Sequence, residues 1–148
     1  DFYEKKHNIK IDYTVVLQPT SPFRTVEDID GTIQKLIDTG ADSAVSIVEV
    51  QSTYHPIKIK KLEGDYIQPY SVPEIEGTRR QDLPTAYRRS AALYCMRRDL
   101  IMVDRRLYGD KIAGHIVPKE RSIDIDYPFD WIEAEYMLNE LKKKGFKF

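Results

Sequence analysis

Asp124 and Asp126 stand two residues apart in the stretch Arg121-Ser122-Ile123-Asp124-Ile125-Asp126. In an extended backbone side chains alternate, so the two carboxylates share one face and Ile123 and Ile125 share the opposite, apolar one. Two acids on one face repel each other unless a cation sits with them. Spacing alone favours a solvated acidic strand end over a metal site, so the surroundings must decide. A second polar group lies in Gln18-Pro19-Thr20-Ser21-Pro22, which follows the apolar run Tyr13 to Leu17. Two prolines cannot extend a ladder, so the backbone turns there and leaves Gln18, Thr20 and Ser21 at the carboxyl end of a strand, where open α/β sheets bind ligands. The competing reading is a turn whose hydroxyls only cap backbone. Arg79, Arg80, Arg88 and Arg89 form the third group, suited to a bidentate grip on phosphate or carboxylate and equally consistent with a solvated basic loop.

The elements that must position these residues follow from periodicity. The β-branched run Tyr13 to Leu17 reads as a strand covered on both faces. Thr25 with Asp28 resembles a capping box opening a helix, in which Val26, Ile29, Ile33, Leu36 and Ile37 recur at helical spacing until Gly40. Ser43 to Val50 is the next strand, giving a right-handed βαβ unit. Ile57 to Lys60 alternates, so Lys58 and Lys60 are expected on a solvated strand face, with His55 a turn residue. Ala91 to Met96 reads as a buried strand, Arg97 to Tyr108 as a short helix and loop, and Ala113 to Pro118 as a further strand. Pro128 and Asp130 suit the start of a last helix, with Ile132, Ala134, Leu138 and Leu141 as apolar contacts, Trp131 and Tyr136 as packing residues, and Lys142, Lys143 and Lys144 near its carboxyl end.

Composition narrows the function classes. The 148 residues are 41% hydrophobic and 32% charged, which is a globular balance sufficient for one domain with a core. Lys and Arg total 23 against 24 Asp and Glu, a net charge of -1, so no global field favours nucleic acid or an anionic membrane and any anion recognition is local. The single cysteine, Cys95, excludes an intrachain disulfide and sits among apolar residues as a structural thiol. No apolar run approaches the ~20 residues of a membrane helix, and no signal peptide is evident, so a cytoplasmic location is expected. The first residue is Asp, and Phe2 to His7 reads like the tail of a helix, which raises the expectation of a truncated amino terminus.

Four stretches together resemble the acylneuraminate cytidylyltransferases, also called CMP-sialic acid synthetases: Leu17-Gln-Pro-Thr-Ser-Pro-Phe-Arg24, His55-Pro-Ile-Lys58, Arg80-Gln-Asp-Leu-Pro84 with Tyr87-Arg88, and Ser122-Ile-Asp-Ile-Asp126. The resemblance runs over nearly the whole chain and omits the family's amino-terminal nucleotide-binding loop. It implies a Rossmann-like nucleotidyltransferase fold, an α/β architecture with a mixed, mainly parallel sheet flanked by helices and lacking the first strands. It implies a single domain over 1-148, with a sugar-binding and dimerisation region embedded near 51-110. The implied reaction is transfer of CMP from CTP to an acidic nine-carbon sugar with release of pyrophosphate, aided by Mg²⁺ and carried out by a homodimer. Asp124 and Asp126 match the family's metal-site aspartates and catalytic centre. Gln18 and Thr20 match its sugar-side residues, and Lys58, Arg80, Arg88 and Tyr94 match positions lining the acidic-sugar pocket. Two departures accompany the match. Arg88-Arg89-Ser90-Ala91-Ala92 stands where the family usually has Arg-Pro-Asn-Gly-Ala, replacing an amide contact by a hydroxyl, and Tyr127 stands where Thr is common. Legionaminic, pseudaminic or 3-deoxy-octulosonic acid is therefore an alternative sugar, and a sugar-binding fragment without turnover is a third expectation.

Overall fold

The computed structural model describes residues 2–146 and divides into two compact units, one made of the residues up to Val48 together with those from Arg89 onward, the other of Glu49–Arg88. The first unit begins with a short helix α1 (Phe2–His7), followed by β1 (Tyr13–Leu17), α2 (Val26–Thr39) and β2 (Ser43–Glu49). The second unit carries β3 (Lys60–Glu63) and β4 (Tyr66–Pro69), and β5 (Tyr87–Arg97) leads back into the first unit. There α3 (Arg98–Met102), β6 (Ile112–Ile116) and α4 (Pro128–Lys143) complete a mixed α/β fold.

The main sheet has the order β1-β5-β2-β6. β1 pairs antiparallel with β5, Val15 opposite Cys95, whereas β2 and β6 run parallel, Val45 opposite Gly114. The expected βαβ unit is thus opened up, because β5 lies between β1 and β2. β1 is an edge strand among the described residues, with Tyr13 and Leu17 exposed, and not the strand covered on both faces that its apolar run suggests. The strand that reads as buried, β5, has sheet partners on both sides, as does β2.

α2 forms as its sequence dictates. Thr25 accepts the Asp28 backbone N–H at 3.2 Å, Asp28 accepts that of Thr25 at 3.0 Å, and Gly40 ends the helix at φ 59°, a left-handed conformation that costs glycine nothing. Leu36 of α2, Ala41, Ala44 of β2 and Cys95 of β5 build a core, with Val15, Ile33 and Ala113 packed against it. Cys95 is fully buried and burial pushes its thiol up to about 11, as suits a structural thiol. A second cluster joins Phe23 and Ile123 to Ala134 and Leu141 of α4. Ile132, Trp131 and Tyr136 do not pack there, contrary to the sequence reading, and are 62%, 57% and 65% exposed. Only Ala134 and Leu141 of α4 are buried.

Within the Glu49–Arg88 unit no described residue is buried. The β3–β4 hairpin turns at Gly64 (φ 62°), with Leu62 opposite Ile67. The expected strand at Ile57 to Lys60 is a 3₁₀ turn over Pro56–Lys58 that passes into β3 only at Lys60. Pro56 sits at the start of the turn, and the His55 ring accepts the Ile57 N–H at 3.3 Å, so local capping outweighs the alternation. Lys60 is consequently no solvated bystander, since its ammonium bonds Glu74 at 2.6 Å and the Ile57 carbonyl at 3.3 Å.

Candidate functional site

The Asp124 stretch and the proline turn meet. Ser21 Oγ donates to Asp124 Oδ1 at 3.1 Å, and the Ile125 N–H donates to the Thr20 carbonyl at 2.9 Å, across more than a hundred residues of sequence. The turn is closed from within by Arg24, whose guanidinium donates to the Gln18 and Ser21 carbonyls at 2.5 and 2.7 Å. Ser21 is wholly buried, Gln18 and Thr20 half-buried. The stretch from Ser122 to Asp126 joins no ladder, so it is not the strand the alternation suggests. Its side chains nonetheless alternate: Ile123 is in the core, Ile125 packs on the same cluster and Asp124 faces the turn.

Asp126 is exposed and is positioned by a different element. Its N–H and that of Tyr127 donate to Asp130 Oδ2 at 3.0 and 2.8 Å, so Asp130 caps α4 and Tyr127 occupies the N-cap that Thr would otherwise fill. Arg121, just upstream, reaches back to the start of α2 and donates to Asp28 Oδ1 at 2.6 Å and Oδ2 at 3.1 Å. Burial pushes the Asp28 carboxyl up, but the bonds from Arg121 and from the Thr25 backbone outweigh it and hold the group below the usual range.

Tyr94 on β5 is also in this unit. Its ring meets Tyr108 edge-on at 5.8 Å, and Arg89 donates to the Tyr108 hydroxyl at 2.6 Å. Burial, the neighbouring Tyr108 hydroxyl and the Asp124 carboxylate all raise the Tyr94 phenol above its ordinary value, keeping it a protonated donor at neutral pH. Ser90 plays no such part. It is fully buried and donates to Ser46 Oγ at 2.6 Å, which also accepts the Leu93 N–H at 3.0 Å, so the hydroxyl is a core contact and not a replacement for a ligand-facing amide. Ala91 next to it has φ 61°.

Lys58, Arg80 and Arg88 belong to the Glu49–Arg88 unit and are exposed. Lys58 ends one 3₁₀ turn and Arg80 begins another. His55 Nδ1 accepts the Ile57 N–H, so its Nε2 carries the proton and donates to the Pro84 carbonyl at 3.0 Å, tying the His55-Pro-Ile-Lys58 turn to the Arg80-to-Pro84 segment. Arg79, one of the four clustered arginines, is already paired with Asp82 at 2.9 Å.

Asp124 and Asp126 are a donor set of two hard carboxylates two residues apart in one irregular segment. Among the described residues no group of three or more His, Cys, Asp or Glu could hold a metal. Two carboxylates suit Mg²⁺, which keeps waters and takes phosphate oxygens, and do not suit a four-coordinate zinc site. Asp124 spends one bond on Ser21 and retains acceptor capacity. Asp28, Arg121 and Tyr108 are the neighbouring residues that motif reading misses, and for Ser21 it misses the partner. Ser21 and Asp28 were legible only as turn and cap, because their partners lie about a hundred residues away.

No family model matches the chain. Among curated proteins it is 26% identical over 138 residues to an N-acylneuraminate cytidylyltransferase of Streptococcus agalactiae serotype V, covering 89% of this chain and 33% of that protein. It is 21% identical over 145 residues to post-translational flagellin modification protein B of Campylobacter coli, covering 97% and 60%. A CMP-N,N'-diacetyllegionaminic acid synthase of Legionella pneumophila is 24% identical over 145 residues, covering 93% and 58%. The chain spans between a third and three-fifths of the length of these relatives. The motifs that meet at Asp124 thus lie in a chain similar to N-acylneuraminate cytidylyltransferases and to a CMP-N,N'-diacetyllegionaminic acid synthase.

Proposed function

We propose that this chain is the sugar- and metal-binding part of a cytidylyltransferase that moves CMP from CTP to a sialic-type nonulosonic acid. The observation that carries this reading is the meeting of the Gln18-to-Ser21 turn with Asp124 through Ser21 and Thr20. The sugar's anomeric hydroxyl attacks the α-phosphorus of CTP and gives up its proton to solvent, while the bond to the pyrophosphate oxygen breaks and pyrophosphate leaves. Asp124 and Asp126 would hold Mg²⁺, which would neutralise the charge that develops on the phosphate oxygens. Gln18 and Thr20 orient the sugar, and the Tyr94 hydroxyl donates to it. Lys58, Arg80 and Arg88 are the cations for the substrate carboxylate, for which arginine's paired N–H groups are the natural match.

The test is pyrophosphate release from CTP, Mg²⁺ and N-acetylneuraminic acid by the protein containing this chain. Asp126→Ala should lower turnover on the order of a hundredfold or more, since it removes a ligand from the charge-neutralising ion. Undiminished turnover in that variant would refute the metal assignment. The Legionella relative favours a second reading, in which the acceptor is a legionaminic-type acid. A panel that includes legionaminic, pseudaminic and 3-deoxy-octulosonic acids ranks the acceptors by kcat/KM.

Self-association is part of the proposal. Leu62, Tyr66, Ile67, Tyr70 and Ile75 of the Glu49–Arg88 unit are between 68% and 76% exposed, an apolar surface that a second copy would cover. A cytoplasmic location fits a CTP-consuming enzyme, and among the described residues no helix is long and apolar enough to cross a membrane.

A further inference from the structure

The Arg121–Asp28 pair is poorly explained as a source of stability. The Arg121 and Asp28 side chains are 20% and 5% exposed, and the carboxylate also takes the Thr25 N–H. Desolvating two charges cancels most of their attraction, and well-packed apolar replacements are commonly as stable. What the pair does provide is registration. Arg121 is held to the first turn of α2, Asp124 to Ser21, and Ile125 to Thr20, so three contacts stitch residues 121–125 to residues 20–28. Asp126 lies just past the last stitch and is fixed from the other side by Asp130. The separation of the two carboxylates therefore depends on how the 121–125 segment is seated on the loop and on α2.

We propose that the Arg121–Asp28 ion pair is a positioning device for the Asp124/Asp126 divalent-cation site: its bidentate grip sets where Asp124 stands relative to Asp126. This rests on the reading of those aspartates as the metal site. The pair touches no cation itself and acts through the segment that it anchors. Loss of such an outer partner weakens metal binding by about 10- to 100-fold in comparable sites.

Mn²⁺ binding, followed by the loss of its free electron-paramagnetic signal, tests this without requiring turnover. The double variant Asp28→Asn with Arg121→Met removes both charges together and leaves neither one buried alone, so its melting temperature should stay near that of the parent. Its Mn²⁺ affinity should fall about tenfold or more. Arg121→Lys keeps the charge, loses the two-pronged geometry and should show a smaller loss. As a control, Arg98→Gln breaks the ion pair to Glu4, which lies outside the stitched segments, and should leave Mn²⁺ affinity unchanged. Parent-like affinity in both folded Arg121 variants overturns the positioning role while leaving the metal site standing. If the parent binds no Mn²⁺, or Asp126→Ala binds it equally well, the metal reading itself fails and the positioning role fails with it.

Discussion

At the scale of single residues, Ala91 shows how a motif departure becomes a physical cost. It occupies the glycine position of the related Arg-Pro-Asn-Gly-Ala pattern, inside β5, with φ 61°. In that region Cβ crowds the following carbonyl at a cost of roughly 1–2 kcal/mol, and relief by glycine is partly offset by its greater freedom in the unfolded chain. Ala91→Gly should therefore stabilise the protein by about 0.5–1 kcal/mol, read from the midpoint of urea unfolding. A loss of stability would show that the strain is already relieved by neighbouring contacts. Ser90 beside it stands where the related pattern has an amide contact, which makes its hydroxyl the expected replacement for that contact. Its position under β2, bonded to Ser46, could not be known until β5 was placed between β1 and β2.

At the scale of elements, periodicity located both long helices, because a 3.6-residue apolar repeat and its caps are local signals. What periodicity does not encode is which neighbour a face meets. α2 packs on β6, and the contact is set by Gly31, where an added Cβ would lie 2.3 Å from His115 Cε1. Gly31→Ala must displace the imidazole and should cost about 1–3 kcal/mol by overpacking, measured by thermal or urea unfolding. Burial pushes the His115 pKa down, so the ring stays neutral against the helix at pH 7. The aromatic residues at the start of α4 make the complementary point. The N-cap Tyr127 and, in the first turn, Phe129 and Trp131 are 72%, 73% and 57% exposed, although their chemistry resembles that of core residues.

At the scale of the whole molecule, long-range ion pairs couple stability to pH. Arg98 bonds Glu4 at 2.5 and 2.6 Å, and with the Ile11 N–H it holds the Glu4 carboxyl down to about 2 from 4.5. A depressed carboxyl stabilises fully above its unfolded value, so this contribution is complete above pH 4.5 and is lost progressively as pH falls towards 2. Glu4→Gln should flatten the dependence of unfolding free energy on pH across that window and leave its slope above pH 5 unchanged. A parent-like slope between pH 4.5 and 2 would assign the acid sensitivity to other carboxylates, with Asp28 the next to examine because its carboxyl is also held low.

Sequence by itself determined the α/β class, the limits of α2 and α4, the buried character of β5 and Cys95, and the turn after β1. These depend on interactions within a few residues: caps, alternation and proline geometry. Tertiary structure alone decided the insertion of β5 between β1 and β2, the burial of Ser90, and the convergence of Ser21 and Thr20 on Asp124 and Ile125. It also decided that Arg121 should be matched with Asp28, a partner 93 positions away. Charge and hydrogen-bonding capacity are written in each residue, but their partners are chosen by packing, which joins segments that no local spacing connects.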